Sequence, residues 1–163
     1  MIKLINGRGQ VGEELSKNLP NCQEDIFIYH TWNVWDKTQK PQQCEYFKFK
    51  EFVNEHGDDK IIFISTYSEQ ENWYNHYKQL SEAYLINNCS KGLILRVPVI
   101  IGKGVCQKMK DGEVEPYGVM ELVTVQDVSK RIIELCSYDG NIKSFRMEGN
   151  LVPAKIAYSL ITL

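Results

Sequence analysis

The run Leu93-Ile94-Leu95-Arg96-Val97, closed by Pro98, does most to narrow the folds open to this chain. It is nearly continuous in apolar residues, as expected of a strand covered on both faces in a parallel sheet, and Pro98 limits it because proline has no N–H for a ladder. Lys60-Ile61-Ile62-Phe63-Ile64 has the same character, and Met1 to Ile5 and Asp25 to His30 read as shorter strands. Helical periods lie between them. Val11, Leu15 and Leu19 follow the first strand, Phe49, Phe52 and Val53 share a face within 45–56, and Trp73, Tyr77, Leu80, Tyr84 and Leu85 form a broad stripe over 71–89. Parallel neighbours need helical crossovers, so the expected fold is α/β with a mostly parallel sheet. Residues 31–38 read as loop with a helical turn, 105–124 as hairpin or loop around Asp111-Gly112, and Asp127 as the cap of a helix carrying Val128, Ile132 and Leu135 inward. Beyond Gly140 the pattern leaves strand and helix both open.

With 163 residues the chain supports one ordinary core, and a single domain over 1–163 is expected. A formal charge of -2, with 43% apolar and 25% charged residues, gives no general reason to bind nucleic acid or an anionic membrane. Lys103, Lys108 and Lys110 make no nucleic-acid patch, because Asp111, Glu113 and Glu115 adjoin them. No run is long and apolar enough to span a bilayer, which leaves the cytoplasm as the default compartment. The cysteines, Cys22, Cys44, Cys89, Cys106 and Cys136, are scattered and form no Cys-x-x-Cys pair, so reduced thiols are expected. His30, His56 and His76 lack metal-ligand spacing, and no metal site is expected.

Gly7-Arg8-Gly9-Gln10-Val11-Gly12 fits Gly-x-Gly-x-x-Gly between a strand and a helix. In that context the first glycine allows a tight turn, the second lets backbone N–H groups approach a diphosphate, and the third permits close helix packing. Arg8 adds a cation suited to phosphate. A turn that joins strand to helix and binds nothing is the other reading. The carboxylate expected about 20 residues further on, at the end of the second strand, to hold a ribose hydroxyl is missing, for that strand ends Ile28-Tyr29-His30. Adenosine recognition therefore has no support in the sequence.

Ser65-Thr66 closes one buried strand, and Tyr74 and Lys78 follow on the next helix, one turn apart and on one face. This order suits proton transfer to or from a carbonyl or alcohol oxygen. Thr66, with Ser65 as its substitute, would bind the oxygen, Tyr74 would exchange the proton, and the Lys78 ammonium would lower the phenol's pKa. Tyr-x-x-x-Lys alone is uninformative, since Tyr46 and Lys50 also match it; position separates the two, because only Tyr74 and Lys78 lie between two buried strands. Tyr74 as core packing and Lys78 as a solvated side chain is the alternative.

Taken in order, these segments resemble a shortened extended-type short-chain dehydrogenase/reductase, and the start of the chain is similar to that of dTDP-4-dehydrorhamnose reductases. The resemblance covers most of 1–135. Asp25 to Lys37 resembles the family's fourth strand and its loop, Ile64-Ser65-Thr66 the fifth strand with its catalytic hydroxyl, Tyr74 and Lys78 the Tyr–Lys pair, and Leu95 to Gly102 the sixth strand and the loop toward substrate. Glu82 fits the same helix, and Val123 to Val128 resembles a later strand-to-helix junction. The implied fold is a truncated, Rossmann-like, doubly wound sheet with a reduced substrate side at about 102–163. The implied activity is NAD- or NADP-dependent oxidoreduction or epimerisation of a small molecule such as a sugar nucleotide. Too few residues separate Gly12 from Asp25 for a further βαβ unit, which needs about 30, so the strands that bind adenosine in the family are expected to be absent. The interval from Thr66 to Tyr74 is short for the family. Loss of those strands would leave the first strand at a sheet edge, which points to a homo-oligomer, packed by resemblance through the 71–89 helix. The truncation also keeps a second class of function open: a noncatalytic nucleotide- or protein-binding module with the same core.

Overall fold

The computed structural model describes residues 1–5, 9–68, 70–102 and 105–162. Along the chain these form β1 (Ile2–Ile5), α1 (Gln10–Leu15), β2 (Ile26–Tyr29), α2 (Gln39–His56), β3 (Lys60–Thr66), α3 (Trp73–Asn88), β4 (Gly92–Val97), β5 (Val99–Ile100), α4 (Val105–Lys110), β6 (Val119–Val123), α5 (Val125–Cys136), β7 (Ser144–Arg146), β8 (Asn150–Pro153) and α6 (Ala154–Thr162). The main sheet has five parallel strands in the order β1-β2-β3-β4-β7. The expected Rossmann-like α/β architecture is therefore present, and β1 stands at its edge, paired with β2 alone among the described residues.

Two apolar layers cover the sheet. One packs Ile28, Ile62, Ile64, Leu93 and Leu95 against Leu15 of α1 and Val128, Ile132 and Leu135 of α5. The other packs Phe27, Tyr29, Ile61, Phe63 and Ile94 against Phe49 and Val53 of α2 and Leu85 of α3. Alternate residues of β3 thus serve opposite layers, as the period-two pleat dictates. Full burial of each such side chain contributes about 1.5–3 kcal/mol of transfer free energy, which explains why the central strands admit so few polar residues before Ser65. A separate sheet, β5-β6-β8, carries a small cluster of Cys106, Leu122 and Ala157.

The structure departs from the sequence reading at several local points. Residues 105–110 form α4 instead of a hairpin or loop, because Cys106 and Met109, three apart, are both buried, with Cys106 packed on Leu122 and Ala157. Helix α2 begins at Gln39, earlier than its apolar stripe suggested; Pro41 lies in its first turn, where a missing N–H costs little. Helix α5 is capped by Thr124, with Asp127 as its reciprocal partner: the Asp127 N–H donates to Thr124 Oγ1 at 3.1 Å, and that hydroxyl donates to Asp127 Oδ2 at 2.8 Å. The tail resolves into β7, β8 and α6. Among the described residues no helix is long and apolar enough to cross a membrane, and all the cysteines are free thiols.

Candidate functional site

Because the main sheet is parallel, the ends of β1, β2, β3 and β4 open onto one edge, and the sequence-predicted residues gather there. Gly7 and Arg8 lie outside the described residues. Gly9 is the extended N-cap residue of α1, and Gln10, Val11 and Gly12 form the first turn of that helix. Among the described residues nothing lies within 4 Å of the position a Cβ would take on Gly9, which leaves room there for close approach to the backbone. This turn follows β1, while Ser65 and Thr66 end β3, with β2 between them.

Helix α3 starts at Asn72, whose side chain accepts from the Asn75 N–H at 2.8 Å. Its inward stripe is unusually polar: Asn75, Tyr77, Lys78, Ser81, Glu82 and Leu85 are buried. Lys78 is 3% exposed. Its ammonium donates to the Ile64 carbonyl at 2.8 Å and lies 4.5 Å from the centre of the Trp32 ring and 4.6 Å from that of Phe63. The contact with Phe63 identifies the face: Ser65, two residues on, turns the same way, whereas Thr66 follows Ile64 toward the α1 and α5 layer. The pleat thus puts Ser65, which sequence reading ranked second, on the Lys78 side.

Burial dominates the electrostatics here. It pushes Lys78 down to about 7, against the opposing attraction of Glu82 and Glu45. It also pushes the Tyr74 phenol up to about 12. The expectation that Lys78 lowers the pKa of Tyr74 is therefore corrected in this conformation, because desolvation of the phenolate outweighs a cation 5.9 Å from the ring centre. Lys37 flanks the same ring at 5.1 Å.

Sequence reading missed the groups that enclose Lys78. The Trp32 indole N–H donates to Gln42 Oε1 at 2.7 Å, and Gln42 Nε2 donates to the Asn33 and Asp36 carbonyls at 2.8 and 2.6 Å. Gln42 is fully buried, so this network fixes the loop after β2 above the ammonium. His30, just after β2, is held below its usual range by burial and then by Lys78, and its Nε2 is buried without a partner among the described residues. An imidazole after a strand and a glutamine ahead of an apolar stripe carry no distinctive pattern; only their three-dimensional neighbours reveal them.

A cavity of about 280 Å³ opens beside Ser65, Thr66, Asn75, Lys78, Gln79 and Arg96. Tyr74 is not part of its lining. The site therefore joins Ser65, Thr66 and Lys78 around one space, leaves Tyr74 on Lys78's other flank, and sets the glycine turn further along the edge. A larger, shallow depression of about 620 Å³ lies at the opposite edge, between the ends of α2 and α3, remote from these groups. Among the described residues no cluster of His, Cys, Asp or Glu could hold a metal ion.

No family model and no curated protein matches the sequence. Solved structures do match the fold. A dTDP-4-dehydrorhamnose reductase from Clostridium acetobutylicum superposes with a TM-score of 0.75 at 15% identity, over 99% of this chain and 81% of that one. The Bacillus anthracis dTDP-4-dehydrorhamnose reductase, in complex with NADP, gives 0.72 at 14% identity, again over 99% and 81%. The UDP-N-acetylglucosamine 4-epimerase of Bacillus cereus gives 0.65 at 14% identity, over 99% and 82%. The chain shares the Rossmann-like fold of these reductase and epimerase structures.

Proposed function

We propose that this chain is an NAD- or NADP-dependent oxidoreductase of the reductase and epimerase type, acting on a sugar nucleotide or a related carbonyl or alcohol. The observation that carries the reading is Lys78, buried at the carboxyl edge of the sheet between Ser65 on β3 and Tyr74 one turn earlier on α3. The shared fold supports it, because structures with that fold bind NADP or NAD.

The residues fit the phosphate end of such a cofactor. Gly7, Arg8, Gly9, Gln10, Val11 and Gly12 would hold the diphosphate, and the open backbone at Gly9 is the structural support for this. When bound, the nicotinamide supplies or accepts a hydride. Tyr74 exchanges a proton with the substrate oxygen, and Ser65, the hydroxyl on the Lys78 side of β3, donates a hydrogen bond to that oxygen. The assembly is a homo-oligomer packed through α3, supported by the exposed Trp73 and Leu80, which share a helix face, and by the exposed Phe47 of α2.

A second reading, a noncatalytic nucleotide- or protein-binding module, draws on the same lysine. Its ammonium is engaged by the Ile64 carbonyl and two aromatic faces, the arrangement of a structural side chain. Titration of the purified chain with NADPH and NADH separates the two. Saturable binding, with turnover that falls about 10²–10⁴-fold in Tyr74→Phe, is the result expected of an acid–base catalyst. Failure of both cofactors to bind leaves the binding module.

A further inference from the structure

The small sheet ends in an open, uncharged edge. In the order β5-β6-β8, β8 is hydrogen-bonded to β6 alone among the described residues. The register sets Val119 opposite Pro153, Met120 opposite Val152, Glu121 opposite Leu151 and Leu122 opposite Asn150. One step beyond it, the Ala154 N–H donates to the Gly118 carbonyl at 2.8 Å. Antiparallel pairs alternate between hydrogen-bonded and non-hydrogen-bonded, so Val152 and Asn150 exchange bonds with β6, whereas Leu151 and Pro153 turn their backbone groups away from it. Leu151 therefore presents both its N–H and its C=O to the free edge. Pro153 has no N–H to offer, and the Gly149 N–H is already held by Glu121 Oε1 at 2.8 Å.

The side chains follow the same alternation. Met120, Leu122 and Val152 pack inward with Cys106 and Ala157, and the opposite face exposes Leu151 (75%), Val119 (65%) and Pro153. Such an edge invites pairing, and proteins usually defend one with charge. β8, Asn150-Leu151-Val152-Pro153, carries none. The carboxylate on this face, Glu121, is neutralised by Arg146 Nη2 at 2.9 Å, so two copies of the face meet without like-charge repulsion. The free backbone groups select the occupant. A foreign strand laid along β8 would find one donor in four residues. A second copy, turned about a two-fold axis through Leu151, meets it with the same residue: each Leu151 N–H faces the other's C=O, and neither is left over.

We infer that β8 is a self-pairing edge, on which two copies of this chain meet antiparallel through Leu151 and join their small sheets into one. This surface shares no residue with the α3 face or with the carboxyl edge of the main sheet, and no cofactor enters its test. It is small beside a stable interface, which buries about 1,600 Å². One such contact is weak and leaves a dilute chain monomeric once α3 packing is removed. Copies joined through α3 offer two such edges, and paired contacts hold where a single one does not.

The test uses the full chain carrying Leu80→Glu, which removes the α3 contact, and Cys44→Ser, which removes the exposed thiol. Hydrogen-bonded antiparallel neighbours have Cα atoms about 5.5 Å apart, within the span of about 4.4–6.8 Å that a disulfide bridges. In concentrated solution with glutathione disulfide as oxidant, Leu151→Cys is therefore expected to form a covalent dimer about tenfold faster than Tyr117→Cys, although Tyr117 is 94% exposed. In the ¹⁵N-labelled parent chain, the backbone amide signals of Asn150, Leu151 and Val152 should shift as concentration rises. Leu151→Pro deletes an N–H that β6 does not use, so it should leave the unfolding midpoint in place and abolish the shifts at Asn150 and Val152. If that variant fails to fold, the other two measurements decide. Equal cross-linking at the two positions overturns the inference in favour of random collision. Signals that stay fixed with concentration overturn it in favour of an edge kept for an extended segment of another protein, and shifts that persist in a folded Leu151→Pro overturn the backbone pairing.

Discussion

The Lys78 ammonium lies 4.5 Å from the centre of the Trp32 indole, so a cation that the sequence assigns to an open catalytic site is instead roofed by the loop after β2. This closure accounts for its low pKa and makes Lys78 a measurable reporter of folding.

The folded state holds Lys78 at about 7 against 10.5 for the ordinary side chain. Between those values the unfolded chain binds more protons than the folded one, so stability rises with pH, by up to about 1.4 kcal/mol per unit from this group. The penalty for burying the ammonium is complete below the folded value and disappears toward the unfolded one. Lys78→Met, which has no charge to bury, should therefore gain most over the native chain near about pH 6 and least near about pH 10. Urea unfolding of both proteins across that range checks this; a pH-independent difference would show that Lys78 is solvated.

Gln42 joins the Trp32 indole to the Asn33 and Asp36 carbonyls while fully buried. Gln42→Ala removes all of these bonds and leaves a void, at a cost of about 3 kcal/mol. The same change should raise the Lys78 pKa by admitting water above it, so part of the pH slope described for Lys78 should vanish in this background. Chemical denaturation with tryptophan fluorescence measures both effects.

Arg96 and Glu82 form a bidentate pair of unequal burial, with side chains 42% and 8% exposed. Removing either breaks the pair, but the partner left behind differs. A freed Arg96 can reach solvent, whereas a freed Glu82 stays buried beside apolar strands. Arg96→Ala should therefore be the more damaging, by about 1 kcal/mol or more over Glu82→Ala, well below the full cost of a wholly buried pair because Arg96 is partly solvated. Equal unfolding midpoints for the two variants would contradict this.

The exposed Trp73 and Leu80 of α3 predict self-association through that helix. Light scattering on the native chain should give a mass above that of one copy, and Leu80→Glu should reduce it to a monomer without lowering the helical content seen by circular dichroism. A monomeric native chain would remove the assembly from the proposed function.

Much of the architecture is legible in the residues, for a physical reason. A strand buried on both faces must be apolar throughout, so 60–64 and 93–97 announce themselves, and the few residues between Gly12 and Asp25 already place β1 at the edge by leaving no room for another crossover. Tyr74 and Lys78 share a helix face by spacing alone. Helix α4 is less visible because its short apolar pair, Cys106 and Met109, is rewarded only when Leu122 and Ala157 arrive from later in the chain.

What the chain determines by itself is local and periodic: which segments are strand or helix, and which residue types reach the carboxyl edge of the sheet. Tertiary structure alone decided that Ser65 and not Thr66 faces Lys78, that Trp32 covers the ammonium, and that desolvation reverses the expected shift of Tyr74. Spacing specifies neighbours on one element, but the free energy of a charge depends on everything packed around it, and for Lys78 that surrounding is contributed by β2's loop, α2 and β3 together.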